Sequence, residues 1–390
     1  MQTKLSELLT TAPYQGTVSA SVIPHTGAEP HTLWAPESTD EPAFLAYSIT
    51  KTFIAALVLK LCEEGRMGLD NPLAKWFPRI ARAEQISLRG LLNHTAGIPD
   101  YGGIPTYHDS VRASPLVPWS FERFAAETFE KGLLFEPGEG WSYSNPGYML
   151  VKRIIEDVAG VSFRDLVAER IARPLGLRRT FVPESVEDLA ALAPGLSRLL
   201  SPDRTPRDVR EHYNPAWVSH GVVASTSSEI VRFLDGLFRG EFLSRKSLDQ
   251  MMELVAVPGM EPDPHRGRPS YGLGLMGDPQ SPWGLTVGHN GGGPGYVSSA
   301  FHAVDLGGAS VCVMGAIEEN FQAEGLVFRI FDHIACQMGA STSGTRKPRS
   351  TTRPTPRRRG RASGGVAYPP DRTIVSTRAP SASTSEVIKA

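Results

Sequence analysis

From Phe53 to Cys62 nine of ten residues are apolar, Lys60 being the exception, and Gly65 ends the run. At 3.6 residues per turn these side chains cover nearly the whole circumference of a helix, so a helix here must be buried on all sides. It is no membrane span: the unbroken apolar run Phe53–Leu59 stops at Lys60, far short of the roughly 20 residues a bilayer needs. The chain of 390 residues, 41% apolar and 21% charged, is long enough to build the surrounding core. Those proportions exclude fibrous, collagen-like and wholly disordered chains.

Residues 16–23 alternate apolar and polar, the mark of a half-buried strand, and 31–35 offer a second. Strand patterns return at Leu285–Gly288, Val297–Val304 and Ala309–Ala316, followed by an amphipathic helix at Glu324–Gln337. Between them lie helical patterns, among them Phe121–Phe129, Gly147–Val158, Phe163–Ile171 and Ser228–Phe238, separated by Pro- and Gly-bearing loops. Strands at both ends with helices between describe an α/β layer interrupted by a helical insertion. The expected division is an α/β lobe from 1–60 and 281–338, a helical lobe from 61–280, and a tail from 339–390.

The tail differs in composition. Residues 341–390 hold eleven Lys or Arg and two acids, a net +9 that leaves −10 on the rest and hides both in an overall −1. Rich in Ser, Thr, Arg, Pro and Gly, it cannot bury enough surface to offset its ordering entropy and is expected to be disordered. With a single aromatic residue, Tyr368, among its arginines it lacks the aromatic interleaving of a nucleic-acid binder, and nucleic acid is not expected as a partner. Cys62, Cys312 and Cys336 lie in apolar stretches without metal-ligand spacing and read as buried free thiols. The first sixteen residues show no apolar export core, so a soluble cytoplasmic protein is expected, with no membrane partner.

Three short patterns carry chemistry. In Ser48-Ile-Thr-Lys51 the i, i+3 spacing on a helix brings lysine and serine to one face, where an amine can take the hydroxyl proton. A helix N-terminus also favours negative charge developing on that serine; the bland alternative is an N-cap serine. In Tyr143-Ser144-Asn145 a phenol can shuttle protons and an amide can orient a lysine and a substrate carbonyl, or the segment is a turn before a helix. In Gly288-His289-Asn290-Gly291-Gly292-Gly293-Pro294-Gly295, glycines would admit a substrate backbone to a strand edge. There a free N–H can serve an oxyanion, and His289 can move protons or bind an acidic group. The glycines of this segment do not fit dinucleotide spacing, since residue 298 is Ser where a glycine would be needed, and P-loop, G-x-S-x-G and H-E-x-x-H patterns are absent.

In this order the three patterns resemble the serine β-lactamase and penicillin-binding protein superfamily. They are closest to its branch of class C β-lactamases, D,D-carboxypeptidases, D-aminopeptidases and β-lactamase-like esterases. That superfamily orders S-x-x-K, Y-x-N and [KHW]-x-G, matching Ser48/Lys51, Tyr143/Asn145 and His289/Gly291. The flanks Ile86–Tyr101 and Gly221–Thr226 are similar too, and the likeness covers about residues 16–337. It implies an antiparallel sheet built from both chain ends, flanked by helices, with a helical lobe alongside and the cleft between them. It further implies acyl transfer without metal or organic cofactor. Ser48 is the nucleophile, Lys51 and Tyr143 move its proton, Asn145 orients, and the N–H groups of Ser48 and Gly292 hold the oxyanion. His94 is expected to be structural and Trp141 and Tyr148 to pack around the second motif, while Tyr101, Tyr107 and Trp119 are candidates for lining the cleft, with a bland packing role as the alternative.

One departure bears on substrate. Efficient class C β-lactamases carry lysine where this chain has His289, and a mostly neutral imidazole is a weaker partner for a carboxylate. The expected activity is therefore on a small ester or amide, esterase-like first. A D-stereospecific peptidase or weak β-lactamase is the nearest alternative, and a non-catalytic binder or sensor the alternative of another class.

Overall fold

The structure is a computed structural model that describes residues 16–259, 267–318 and 321–339. The alternation near the start of the chain becomes β1 (Val18–Ile23), paired antiparallel with β2 (His31–Ala35). Six more strands come from residues 255–315: β3 (Val255–Ala256), β4 (Ser270–Tyr271), β5 (Met276–Ser281), β6 (Gly284–Gly293), β7 (Tyr296–Ala303) and β8 (Ala309–Gly315). All eight form one antiparallel sheet in the order β2-β1-β8-β7-β6-β5-β4-β3. The N-terminal strand thus lies against the last one, Val18 opposite Gly315 and Ile23 opposite Ser310.

Successive side chains of a strand point to opposite faces, and β8 divides its residues accordingly. Val311 and Val313 join the core of the terminal helix, α4 (Ala323–Gln337), with Leu326, Ile330 and Phe331. Cys312 and Met314 join the second core, which holds helix α1 (Thr50–Glu63). As the all-round apolar pattern demands, every residue of α1 from Thr50 to Leu59 is buried. Its Phe53 stacks on Phe233 of α3 (Ser227–Phe238) with ring centroids 3.8 Å apart. Helix α3 covers β1 and β8, and α2 (Asn145–Ala159) packs against α1.

Several expectations shift. Strand β1 is buried on both faces, because Ser19 and Ser21 lie under α3 instead of facing water. The sheet draws β3, β4, β5 and its covering helix α3 from residues 61–280, the stretch assigned to the helical lobe. Two-residue strands are too short to show alternation, and β5 (Met-Gly-Asp-Pro-Gln-Ser) carries residues of poor strand propensity. Strand β6 runs through the glycines to Gly293, five residues past the expected end, because β7 pairs with it throughout. Helix Phe163–Val167 continues through a π turn, Ala168–Ala172. Of the cysteines only Cys312 is buried; Cys62 is half-buried and Cys336 exposed. Among the described residues no helix is long and apolar enough to cross a membrane. The first fifteen residues and the basic tail from 340 lie outside the described residues.

Candidate active site

Ser48 sits in a 3-10 turn, Tyr47–Ile49, that leads directly into α1. Neither flanking cap position uses its side chain, and Ser48 Oγ accepts a hydrogen bond from Lys51 Nζ at 3.2 Å. The i, i+3 reading is therefore the one the fold adopts. Tyr47 has φ 45°, the left-handed region that a residue with a Cβ enters only where its surroundings hold it. Those surroundings are β6 and β7: Tyr47 Oη donates to the Pro294 carbonyl at 2.6 Å, and Ser298 Oγ donates to the Ala46 carbonyl at 3.0 Å.

His289, Gly291 and Gly293 alternate along β6 and share the face turned to Ser48. A Cβ on Gly291 would lie 2.1 Å from the Ala46 carbonyl oxygen, and one on Gly293 would lie 2.4 Å from the Tyr47 ring. These two glycines make room for the protein's own Ser48 turn, whereas the expected reason for them was a close substrate backbone. Gly292 belongs to the opposite face and pairs with Val297. Pairing between β6 and β5 ends at Gly288–Met276, so no strand flanks that edge from His289 onward among the described residues.

Lys51 is fully buried. Its Nζ donates to Asn145 Oδ1 at 2.7 Å, lies 3.2 Å from His220 Nε2, and stands 4.8 Å from the centroid of the half-buried Tyr143 ring. Asn145 opens α2, where Ser144 accepts from the Gly147 N–H at 3.0 Å. The Asn145 N–H donates to Asp100 Oδ1 at 2.8 Å and its side-chain amide to Oδ2 at 3.4 Å, with the Gly102 N–H at 3.0 Å as a third donor. Burial raises the Asp100 carboxyl pKa, and these donors and Lys51 oppose it only in part. The amide that faces Lys51 is thus oriented from behind.

His94, with φ 65°, accepts the Ser144 N–H at Nδ1 over 3.1 Å. Burial first, and then the charge of Lys51, hold it well below the ordinary histidine range. Its ring contacts Trp141, Tyr143 and Tyr148, and Tyr148 Oη donates to the Leu92 carbonyl at 2.5 Å. His94, Trp141 and Tyr148 thus pack around the second motif.

His289 is more constrained than its spacing suggested. A carbonyl oxygen only accepts, so the 2.5 Å contact between Nδ1 and the Asn290 carbonyl puts the ring hydrogen on Nδ1. Nε2 then accepts from Tyr271 Oη at 2.8 Å. Burial and, after it, the Lys51 charge push the imidazole down to about 3. The ring is neutral and both nitrogens are occupied within the protein.

Three site residues escaped the sequence reading: Asp100, His220 and Tyr271. Asp100 lies within a flank noted as similar, and His220 directly precedes another, but neither shares a spacing with the residue it serves. Tyr271 lies on a two-residue strand. Tyr101, Tyr107 and Trp119 pack with Phe124 and Trp217 into one aromatic cluster. Tyr107 Oη donates to the Trp217 carbonyl at 3.1 Å and the Ser219 N–H donates to Tyr101 Oη at 3.3 Å, so the cluster braces the segment bearing His220.

The chain resembles known proteins over most of its length. Penicillin-binding protein 4* of Bacillus subtilis (strain 168) is 28% identical over 306 residues, 74% of this chain and 63% of that protein. The chain therefore spans less than two thirds of that relative. Lovastatin esterase of Penicillium rubens is 30% identical over 176 residues, 40% of this chain and 43% of the esterase. The crystal structure of a D-stereospecific amidohydrolase from Streptomyces sp. matches with a TM-score of 0.71 at 29% identity, covering 84% of this chain and 96% of that one. The Beta-lactamase family model matches residues 14–312, a span that holds all three motifs, and the chain belongs to that family.

Proposed function

We propose that this β-lactamase-family serine hydrolase cleaves small esters through an acyl-enzyme on Ser48. Lys51, assisted by Tyr143, takes the Ser48 proton while Oγ attacks the carbonyl carbon, and the Ser48 and Gly292 N–H groups hold the oxyanion. Tyr143 passes the proton to the leaving alcohol, and water activated by the same pair releases the acid. Asn145 keeps Lys51 in place. The 3.2 Å contact from Lys51 Nζ to Ser48 Oγ supports the assignment of nucleophile and base.

The substrate preference rests on one observation. His289 uses both ring nitrogens on Asn290 and Tyr271 and is neutral, so it offers no cation to a substrate carboxylate. A charge-assisted hydrogen bond is worth about 1.5–3 kcal/mol, or roughly 10–100-fold in rate. β-Lactams and peptides with a free carboxylate lose that contact, whereas esters never needed it. Amides of D-amino acids lack the carboxylate as well. The likeness to the Streptomyces amidohydrolase across 96% of its length favours them as the second substrate class.

The test sets a p-nitrophenyl ester beside a chromogenic cephalosporin and a D-amino-acid anilide, with Ser48→Ala as control. Ester kcat/KM is expected to exceed that for the cephalosporin by about tenfold or more. Ser48→Ala is expected to lose at least about 1,000-fold. Turnover surviving in Ser48→Ala overturns the nucleophile, and a preferred cephalosporin overturns the substrate class. Absence of a covalent fluorophosphonate adduct favours a non-catalytic binder.

A further inference from the structure

An alkylammonium has three N–H bonds to place, and when buried it needs an acceptor for each. Around Lys51 Nζ stand Asn145 Oδ1 at 2.7 Å, Ser48 Oγ at 3.2 Å and His220 Nε2 at 3.2 Å. Asn145 and Ser48 belong to the motifs, but His220 belongs to none. It is buried, and its contact with Lys51 is the one polar bond its ring makes among the described residues; Nδ1 is buried without a partner.

We infer that His220 is a positioning residue for acylation: its Nε2 and Asn145 Oδ1 accept the two N–H bonds of the neutral Lys51 amine and thereby direct its lone pair at the Ser48 hydroxyl. The inference rests on the proposed roles of Ser48 and Lys51. The step it serves is balanced within the site. The Ser48 O–H bond breaks, Oγ bonds to the carbonyl carbon, and the proton becomes the third N–H of Lys51. The resulting ammonium is held by Asn145, His220 and the serine oxygen, so His220 stabilises the lysine in the state that has taken the proton.

The surroundings hold His220 in place and neutral. The Ala46 N–H donates to the Val223 carbonyl at 2.8 Å and the Val223 N–H to Thr50 Oγ1 at 2.8 Å, fastening the His220 segment on both sides of Ser48. Lys51 from α1, His289 from β6, Lys152 from α2 and His94 all face the ring, and Tyr148 lies edge-on to it at 6.4 Å. Asp100 faces Lys51. Burial first, and then the charge of Lys51, push the imidazole far down, so it accepts from Lys51 and does not carry the proton itself. An orphaned Nδ1–H is costly in a buried site. A histidine kept only for packing would gain from losing it.

The test follows the rate of Ser48 labelling by a fluorophosphonate, with ester kcat and KM, from pH 5 to 10. The full chain is compared as wild type, His220→Ala, His220→Gln and His220→Asn, with Ser48→Ala as control. In His220→Ala the plateau of kcat and of labelling is expected to fall about tenfold or more, with KM within about threefold. The acid limb is expected to move to lower pH by about one unit, because the ammonium loses an acceptor. Glutamine, whose amide oxygen reaches the Nε2 position, restores most of both; asparagine, which reaches only Nδ1, does not. An unmoved acid limb with less than threefold loss overturns the inference, as does equal activity of the glutamine and asparagine variants. If the alanine variant does not fold, the glutamine–asparagine comparison decides. Labelling that persists in Ser48→Ala would instead fault the nucleophile assignment.

Discussion

At Gly291 a methyl group would sit 2.1 Å from the Ala46 carbonyl oxygen and 2.5 Å from Ser298 Oγ. Backbone on one side and a hydrogen-bonded hydroxyl on the other leave no easy way to give. Gly291→Ala is therefore expected to push β6 and the Ser48 turn apart. Displacements on the order of 1 Å cost about 100-fold in rate, so kcat/KM should fall by at least that much, with a lower melting temperature. Ester kinetics and thermal unfolding of the purified variant check both; wild-type activity would mean the turn is not held this way. The residue types of the site were readable, since Ser48, Lys51, Tyr143, Asn145 and His289 do converge on Lys51 Nζ and its neighbours. What each glycine accommodates was not, because the clashing atoms lie some 245 residues away in sequence, at Ala46.

Among the elements, α3 shows how a helix is tied to a sheet by polar groups. Glu41 accepts from Ser227 Oγ and the Ser228 N–H at 2.9 Å each, from Ser228 Oγ, and from Ser19 Oγ of β1 at 3.3 Å. Ser227 Oγ also lies 2.7 Å from Ser19 Oγ and 2.6 Å from Ser21 Oγ. The carboxylate thus satisfies the first turn of α3 and serves a buried hydroxyl cluster under it. Glu41→Ala removes the shared acceptor and is expected to destabilise the fold by about 1–3 kcal/mol. Urea unfolding would read this as a lower midpoint with unchanged slope; an unchanged midpoint would exclude the role. The elements themselves were largely legible. Strands β1, β2, β7 and β8 and helices α1 to α4 appear where periodicity placed them, within a few residues. Strands β3 to β5 were not, because two-residue strands and a Gly- and Pro-bearing edge carry no periodic signal and exist through the neighbours they pair with.

For the whole molecule, buried histidines set an acid limit. His289 and His302 are held at about 3, and His94 and His220 well below their ordinary value of 6.5, in each case chiefly by burial. Below pH 6.5 the unfolded chain binds protons at these four positions that the folded chain refuses. Stability is therefore fully present above pH 6.5 and declines as pH falls toward the folded values. Each histidine contributes up to about 1.4 kcal/mol per pH unit in that window. Melting temperature is expected to drop steadily from pH 7 to pH 5 in scans at constant ionic strength, and a flat profile would refute it.

The sequence alone determined much of the secondary-structure pattern around one buried helix and the residue types of the proposed acyl-transfer site. Both are local: periodicity and short spacing act within a few residues. Tertiary structure decided which groups meet. The acceptor His220, the Asp100 that orients Asn145, the Tyr271 that occupies His289 and the bare strand that seats Ser48 come from segments 45 to 245 residues from their partners or on non-periodic strands. Their contacts depend on packing and burial, which also turn a titratable imidazole into a neutral one; no spacing along the chain encodes either.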